Sequence, residues 1–298
     1  MSLKSLERAQ PVTVYVERAL PRHAPESERY WVPLPGDVVL FGIDRESFLS
    51  RLTNALTHSE WTHTSVVTSG SPVQQDQLAS SYMARSEATP FYGKRAKPPH
   101  LAPPTRPTEP WRSLSGEQLF LFESVTPLAE DGNSWDYLTG RERCGVRVVD
   151  ARERMMEVTV TQGTRAAYRR VTAPSRSQAE ALAERLQDAI AAVEGRHVGG
   201  NYENNPLLFT DGISDPGRVR TQEQERVLAM RNREFCSQLT AEVLREAGLL
   251  PGEQERSPRS YLPRDFGDGG SVEREIAARG FAMTPTETVK FSWQESNK

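Results

Sequence analysis

The order of the hydrophobic runs constrains this chain more than any other feature. Pro35-Gly36-Asp37 is a turn signal, and it feeds the unbroken apolar run Val38-Val39-Leu40-Phe41, the pattern of a buried strand. Asp44 can cap a helix in which Phe48, Leu52 and Leu56 share a face. Trp61–Thr68 is β-branched and bounded by Ser69-Gly70, so a second strand is expected. Further strands are expected at Gln118–Val125, Gly145–Val149, Glu157–Thr161 and Ala166–Val171, and a short one at Val12–Val16. Two long helical patterns follow. One opens at Ser177, carries Leu182, Leu186, Ile190 and Val193 on one face, and ends at Gly195 and Gly199-Gly200. The last runs from Cys236 to Ala247, with Gly248 as its stop. Strands grouped in this way, rather than alternating strictly with helices, define an α+β chain.

Between the strands, residues 71–117 lose apolar periodicity, and the stretch KRAKPPHLAPPTRPTEPWRS alone holds six prolines. This segment is expected as an insertion within one domain spanning 31–286, after a lead-in at 1–30 and before a tail at 287–298. The 298 residues can bury a full core without disulfides or metals. The net charge of −3 is spread without a basic stripe, which argues against nucleic acid as a partner. Two cysteines, Cys144 and Cys236, cannot staple a chain of this length, and with five scattered histidines they make no zinc pattern. No metal or cofactor is expected. The first twenty residues show no continuous apolar stretch with a cleavage site, and no run approaches a membrane span of about 18 residues. An intracellular, cytoplasmic chain that keeps its thiols reduced is therefore the expectation.

Three residues stand out chemically. Cys236 opens an amphipathic helix, where unsatisfied N–H groups and the positive end of the dipole favour a thiolate. Free cysteines more often serve as small packing residues, so position alone does not make it a nucleophile. His63 lies inside a β-branched strand, where imidazole is a poor packing choice; its bland alternative is a half-exposed strand histidine. Glu123 ends the run Leu-Phe-Leu-Phe, which should be buried, so its carboxylate needs a partner or solvent. A thiol, an imidazole and a third polar group that orients it form the general logic of an activated nucleophile.

Four blocks resemble the permuted papain-like amidases, the YiiX/YebB-type branch of the NlpC superfamily. Leu34-Pro-Gly-Asp-Val-Val-Leu-Phe-Gly42 is similar to the family's opening strand, and Ser59-Glu-Trp-Thr-His-Thr-Ser-Val-Val67 to the strand around its catalytic histidine. Leu121-Phe-Glu-Ser124 is similar to the strand bearing its acidic residue. Phe235-Cys-Ser-Gln-Leu-Thr-Ala-Glu-Val-Leu-Arg-Glu-Ala-Gly-Leu249 is similar to its nucleophile helix, and is the most specific of the four. Shorter echoes are Gly145-Val146-Arg147, Tyr202 and Leu262–Phe266. The chain departs from the family where Thr64-Ser65 replaces a common Val-Gly, where Gln238 stands at an acidic position, and in the length of 71–117.

The resemblance implies a circularly permuted papain-like fold, with an antiparallel sheet packed against the nucleophile-bearing helix. It implies a cysteine amidase or peptidase in which Cys236 attacks an amide or ester carbonyl, as in a peptide or lipid amide. His63 is then the general base, and Glu123 orients it. The backbone N–H groups of Cys236 and Ser237 are the oxyanion-hole candidates, and Trp61 and Tyr202 the candidates for the substrate cleft. His63 precedes Cys236 in the chain, the reverse of the papain order, as a permutation requires. Two alternatives share the scaffold: a thiol acyltransferase similar to the lecithin–retinol acyltransferases, and an inactive binding or structural protein.

Overall fold

The computed structural model describes residues 33–42, 59–70, 118–125, 145–161, 163–197, 236–252 and 254–289, together with Asn54 and two-residue strand pieces at 15–16, 135–136, 141–142, 201–202, 233–234 and 291–292. The expected helix after Asp44 lies outside these residues except for Asn54, which is helical. The insertion at 71–117 and Cys144 lie outside them entirely.

A six-stranded antiparallel sheet organises the described residues. Its strands are β1 (Val38–Gly42), β2 (Trp61–Gly70), β3 (Gln118–Val125), β4 (Gly145–Asp150), β5 (Ala166–Arg169) and β6 (Glu287–Val289), in the spatial order β6-β5-β1-β2-β3-β4. Four α-helices accompany it among the described residues: α1 (Ala151–Met156), α2 (Arg176–His197), α3 (Cys236–Glu246) and α4 (Ser271–Ala277). The class is α+β, and the sheet packs against the cysteine helix as expected. Because β6 pairs with β5 from Glu287–Tyr168 to Val289–Ala166, the sheet extends past the boundary set at 286, and 287–289 is not tail.

The pleat puts alternate residues on opposite faces. Val38, Leu40, Val66, Phe120, Phe122, Val146 and Val148 pack against Leu182, Leu186, Ile190 and Val193 of α2 and Leu239, Val243 and Leu244 of α3. Val39, Phe41, Val67, Leu119, Leu121 and Val149 pack against Ala151, Met155 and Val158. Each such side chain contributes about 1.5–3 kcal/mol when fully buried.

The turn into β1 shows how local sequence sets this arrangement. Asp37 N–H donates to the Leu34 carbonyl at 3.0 Å across Pro35-Gly36, and Gly36 sits at φ +91°, the conformation such a turn requires of its third residue. A Cβ there would also lie 2.7 Å from Leu186 Cδ1, so only glycine lets α2 come this close.

One expected strand is a helix. Glu157–Thr161 continues α1 as a π-helical turn. The alternation of Val158 and Val160 suits a strand, but the Asp150 carboxylate caps the helix on Glu153 N–H, and Ala151, Met155 and Val158 recur at helical spacing against the sheet. Tertiary burial outweighs β-propensity, whose whole scale spans about 1 kcal/mol. Helix α2 passes through Gly195 to His197, so that glycine does not end it. Ala166–Val171 divides into β5 and a short strand, Val171–Thr172, which pairs with Ala282–Met283.

Candidate active site

Between β2 and β3 the ladder runs from Gly70–Gln118 to Val66–Phe122 and stops. Beyond that point β2 keeps its pairing with β1, and β3 its pairing with β4, so the two strands part. His63 lies on β2 and Glu123 on β3 at this opening, and Cys236 is the first residue of α3. The structure brings all three together. His63 Nε2 is 2.9 Å from Glu123 Oε2, and the ring's other nitrogen, Nδ1, is left for Cys236, to which the imidazole is also hydrogen-bonded. The ring stacks on Phe41, 5.4 Å between centroids, which fixes its plane.

Cys236 is 3 % exposed, and its sulfur meets the backbone N–H groups of Thr64 and Ser237. Burial alone would raise the thiol pKa; the His63 charge, its hydrogen bond and these two N–H groups bring it below the usual thiol value. Burial likewise pulls the imidazole down, but the Cys236 charge and the bonds to Cys236 and Glu123 carry it up to about 9. Each group thus favours the charged form of the other.

Glu123 is fully buried, and both its oxygens are occupied. Arg147, directly opposite in the β3–β4 register, donates through Nε at 3.0 Å and Nη2 at 2.7 Å to Oε1. Arg154, from α1, reaches the same carboxylate at 3.1 Å, and also donates to Glu157 at 2.9 Å. Burial pushes this carboxyl up, yet Arg154, Arg147 and His63 hold it well below the ordinary carboxylate range. Neither arginine was among the expected site residues. Arg147 did leave a signal: an arginine between Val146 and Val148 in a buried strand needs an anion.

Helix α3 is seated by polar contacts on its buried flanks. Thr64 and Thr240 hydroxyls meet at 3.0 Å, Ser237 Oγ donates to the Tyr261 carbonyl at 2.7 Å, and Glu242 meets His197 Nε2 at 2.6 Å. At its far end Gly248 adopts φ +74° and Leu249 N–H donates to Leu244 O, which closes the helix.

Of the cleft candidates, Trp61 is buried. It is 3 % exposed in the core, beneath the Arg165 guanidinium at 5.1 Å and against Gly267, because the outward β2 edge there is covered by the 263–267 turn. Tyr202 falls in a two-residue strand that pairs in parallel with Arg233–Glu234, and its side chain lies outside the described residues. Among the described residues no group of three or more His, Cys, Asp or Glu stands together as a metal site, and no helix is long and apolar enough to cross a membrane.

No protein-family model matches the chain, and a search of curated proteins finds no match. Among solved structures, the chain is similar to the crystal structure of metalloprotein yiiX from Escherichia coli O157:H7, DUF1105, at 14 % identity over 89 % of this chain and 100 % of that chain, with a TM-score of 0.36.

Proposed function

We propose that the chain is a cysteine-dependent amide hydrolase of permuted papain-like arrangement, acting through a thioester on Cys236. One observation carries the reading: a single imidazole bridges a buried thiol at a helix N-terminus and a buried carboxylate. The catalytic unit is taken as one domain from residue 31 to residue 289, with 71–117 inserted between β2 and β3.

In this reading the Cys236 thiolate adds to the carbonyl carbon of an amide or ester. The N–H groups of Cys236 and Ser237 receive the oxyanion. His63, protonated on Nδ1, delivers that proton to the leaving amine or alkoxide as the C–N or C–O bond breaks. A water molecule then attacks the thioester while His63 takes its proton, and the carbon–sulfur bond breaks to return the thiolate. Glu123 holds Nε2–H and so fixes the tautomer that leaves Nδ1 toward sulfur.

The test uses p-nitrophenyl acetate, an activated ester. An initial burst of nitrophenolate should accompany acetylation of Cys236, seen by mass spectrometry, and the acetyl group should decay in water alone. His63→Ala should lose nearly all turnover, whereas Glu123→Gln should keep a measurable fraction. An acetyl group on any other residue would sink the assignment. An acetyl-Cys236 that persists in water but transfers to an added amine or alcohol would favour the acyltransferase reading instead.

A further inference from the structure

Outside the cysteine site, the face of α2 that meets the end of β2 encloses an unassigned acid. Glu194 is 6 % exposed, and its Oε1 has no hydrogen-bond partner among the described residues. It lines a cavity of about 110 Å3 with Thr68, Ser69 and Gln187, and Ile190 forms part of the wall. Thr68 lies five residues along β2 from His63, about 16 Å at strand rise, so this cavity is distinct from the cysteine site.

A buried carboxylate without a cation is costly to ionise. Burial accordingly lifts Glu194 to about 7, opposed only by the Thr68 hydroxyl. Of the charged groups on the surrounding elements, Asp37 is paired with Arg170 and Glu242 with His197. Beside this polar cavity lies a second of about 580 Å3, which shares Pro35 and Gln187 with it and is walled by Leu182, Leu186, Val171 and Ala183, with the Asp37–Arg170 ion pair also on its lining. A polar end with no cation against its acid among the described residues therefore adjoins a larger, mostly apolar space.

We propose that these adjoining cavities form a binding site for a small aliphatic primary amine, with its ammonium against Glu194 and its alkyl part directed toward Leu186. An ammonium offers three donors on one atom, and the Glu194 carboxylate is the acceptor that answers its charge, with Thr68, Ser69 and Gln187 also on the cavity lining. A divalent metal would need more ligating oxygens than one carboxylate and neutral groups supply. The site stands whether or not Cys236 is a nucleophile.

The experiment is calorimetric titration of the full chain with n-butylammonium and, separately, 1-butanol, at pH 6 and pH 8. The amine should bind, more tightly at pH 8 where Glu194 is ionised, and should bind better than ethylammonium because it reaches the apolar cavity. The alcohol should bind at least roughly tenfold more weakly, as loss of a charge-assisted bond implies. Glu194→Gln should remove the preference for amine and its pH dependence. Should that variant fail to fold, Ala191→Leu, which fills the polar cavity from its wall and leaves the carboxylate in place, should abolish binding. No detectable amine binding, equal binding of amine and alcohol, or binding untouched by the substitution that folds would each overturn the proposal.

Discussion

A carboxylate among apolar residues is costly to bury unless cations and donors meet its oxygens. At Glu123 two arginines and an imidazole do so. The arginines have a chemical effect besides: their positive charge offsets Glu123, so the carboxylate orients His63 without stabilising its charged form as strongly as a lone anion would. Replacing Arg154 by Gln should therefore shift the alkaline limb of the activity profile upward from its wild-type position near the His63 value of about 9, where the imidazolium is lost. The acid limb should sit below the ordinary thiol value, because the Cys236 pKa is lowered. A profile of kcat/KM for wild type and Arg154→Gln checks both, and an unmoved alkaline limb would show that Arg154 is only structural. Glu123 also makes a stability prediction. Its folded pKa lies below its unfolded one, so the unfolded chain binds more protons between them. The stabilisation is present above the unfolded value of about 4.5 and is lost as pH falls through the folded value. Glu123→Gln should flatten this acid-side loss in denaturant titrations. It should also cost about 3–5 kcal/mol at neutral pH, since Arg147 and Arg154 lose the Glu123 carboxylate, although Arg154 keeps a second anion in Glu157.

At the scale of elements, α3 and β2 are joined by a relay with a direction. Thr240 Oγ1 can donate to the Cys236 carbonyl at 3.1 Å, and so accepts from Thr64 at 3.0 Å. Thr64→Val removes a donor from a hydroxyl that keeps its other partner. Thr240→Val strands a buried Thr64 hydroxyl, which costs about 1–3 kcal/mol. Urea denaturation should therefore find Thr240→Val the more destabilising, with the double variant less destabilised than the sum of the two; strict additivity would refute the relay. These contacts also show why elements were unevenly legible in the sequence. β1, β2, β3 and α2 announce themselves because one period dominates each run. Glu157–Thr161 carries both periods, and only the neighbouring sheet decides between them. Helix α3 reads as amphipathic, but its polar flank is buried too. Glu242 and Thr240 meet His197 and Thr64 there, 45 and 176 residues away in the chain, and no local pattern announces such partners. The short α4 offers only Val272 and Ile276 to the core, too few for a period. At the site, Cys236, His63 and Glu123 were legible from their local blocks. Arg154 was not, because its partner is set by how α1 folds back over β3.

Among the described residues, one guanidinium ties the sheet to the C-terminal segment. Arg169 on β5 is 1 % exposed and donates to the carbonyls of Thr284 at 2.7 Å, Gly267 at 2.7 Å and Phe266 at 3.1 Å, and to Glu273 at 2.8 Å. These acceptors belong to the segment that follows α3, turns through 258–267 and returns as β6 at the sheet edge. The same segment supplies the Tyr261 carbonyl that holds Ser237, next to the thiol, while the Tyr261 hydroxyl is fixed by Glu275 at 2.5 Å. Arg169 thus connects the sheet to the support of the nucleophile helix. Arg169→Met should cost about 3–5 kcal/mol, since Glu273 and three carbonyls lose a buried donor together. Arg169→Lys should rescue little, because three donors on one atom cannot reproduce the spread of a planar fork. Hydrogen exchange should locate the damage: amides of 258–284 should lose protection before those of β1 to β3, and the Cys236 alkylation rate should change with them. Full stability in Arg169→Lys, or uniform loss of protection across the sheet, would mean that the C-terminal segment is held by its apolar residues, Phe266, Val272, Ile276 and Met283, and not by this cation.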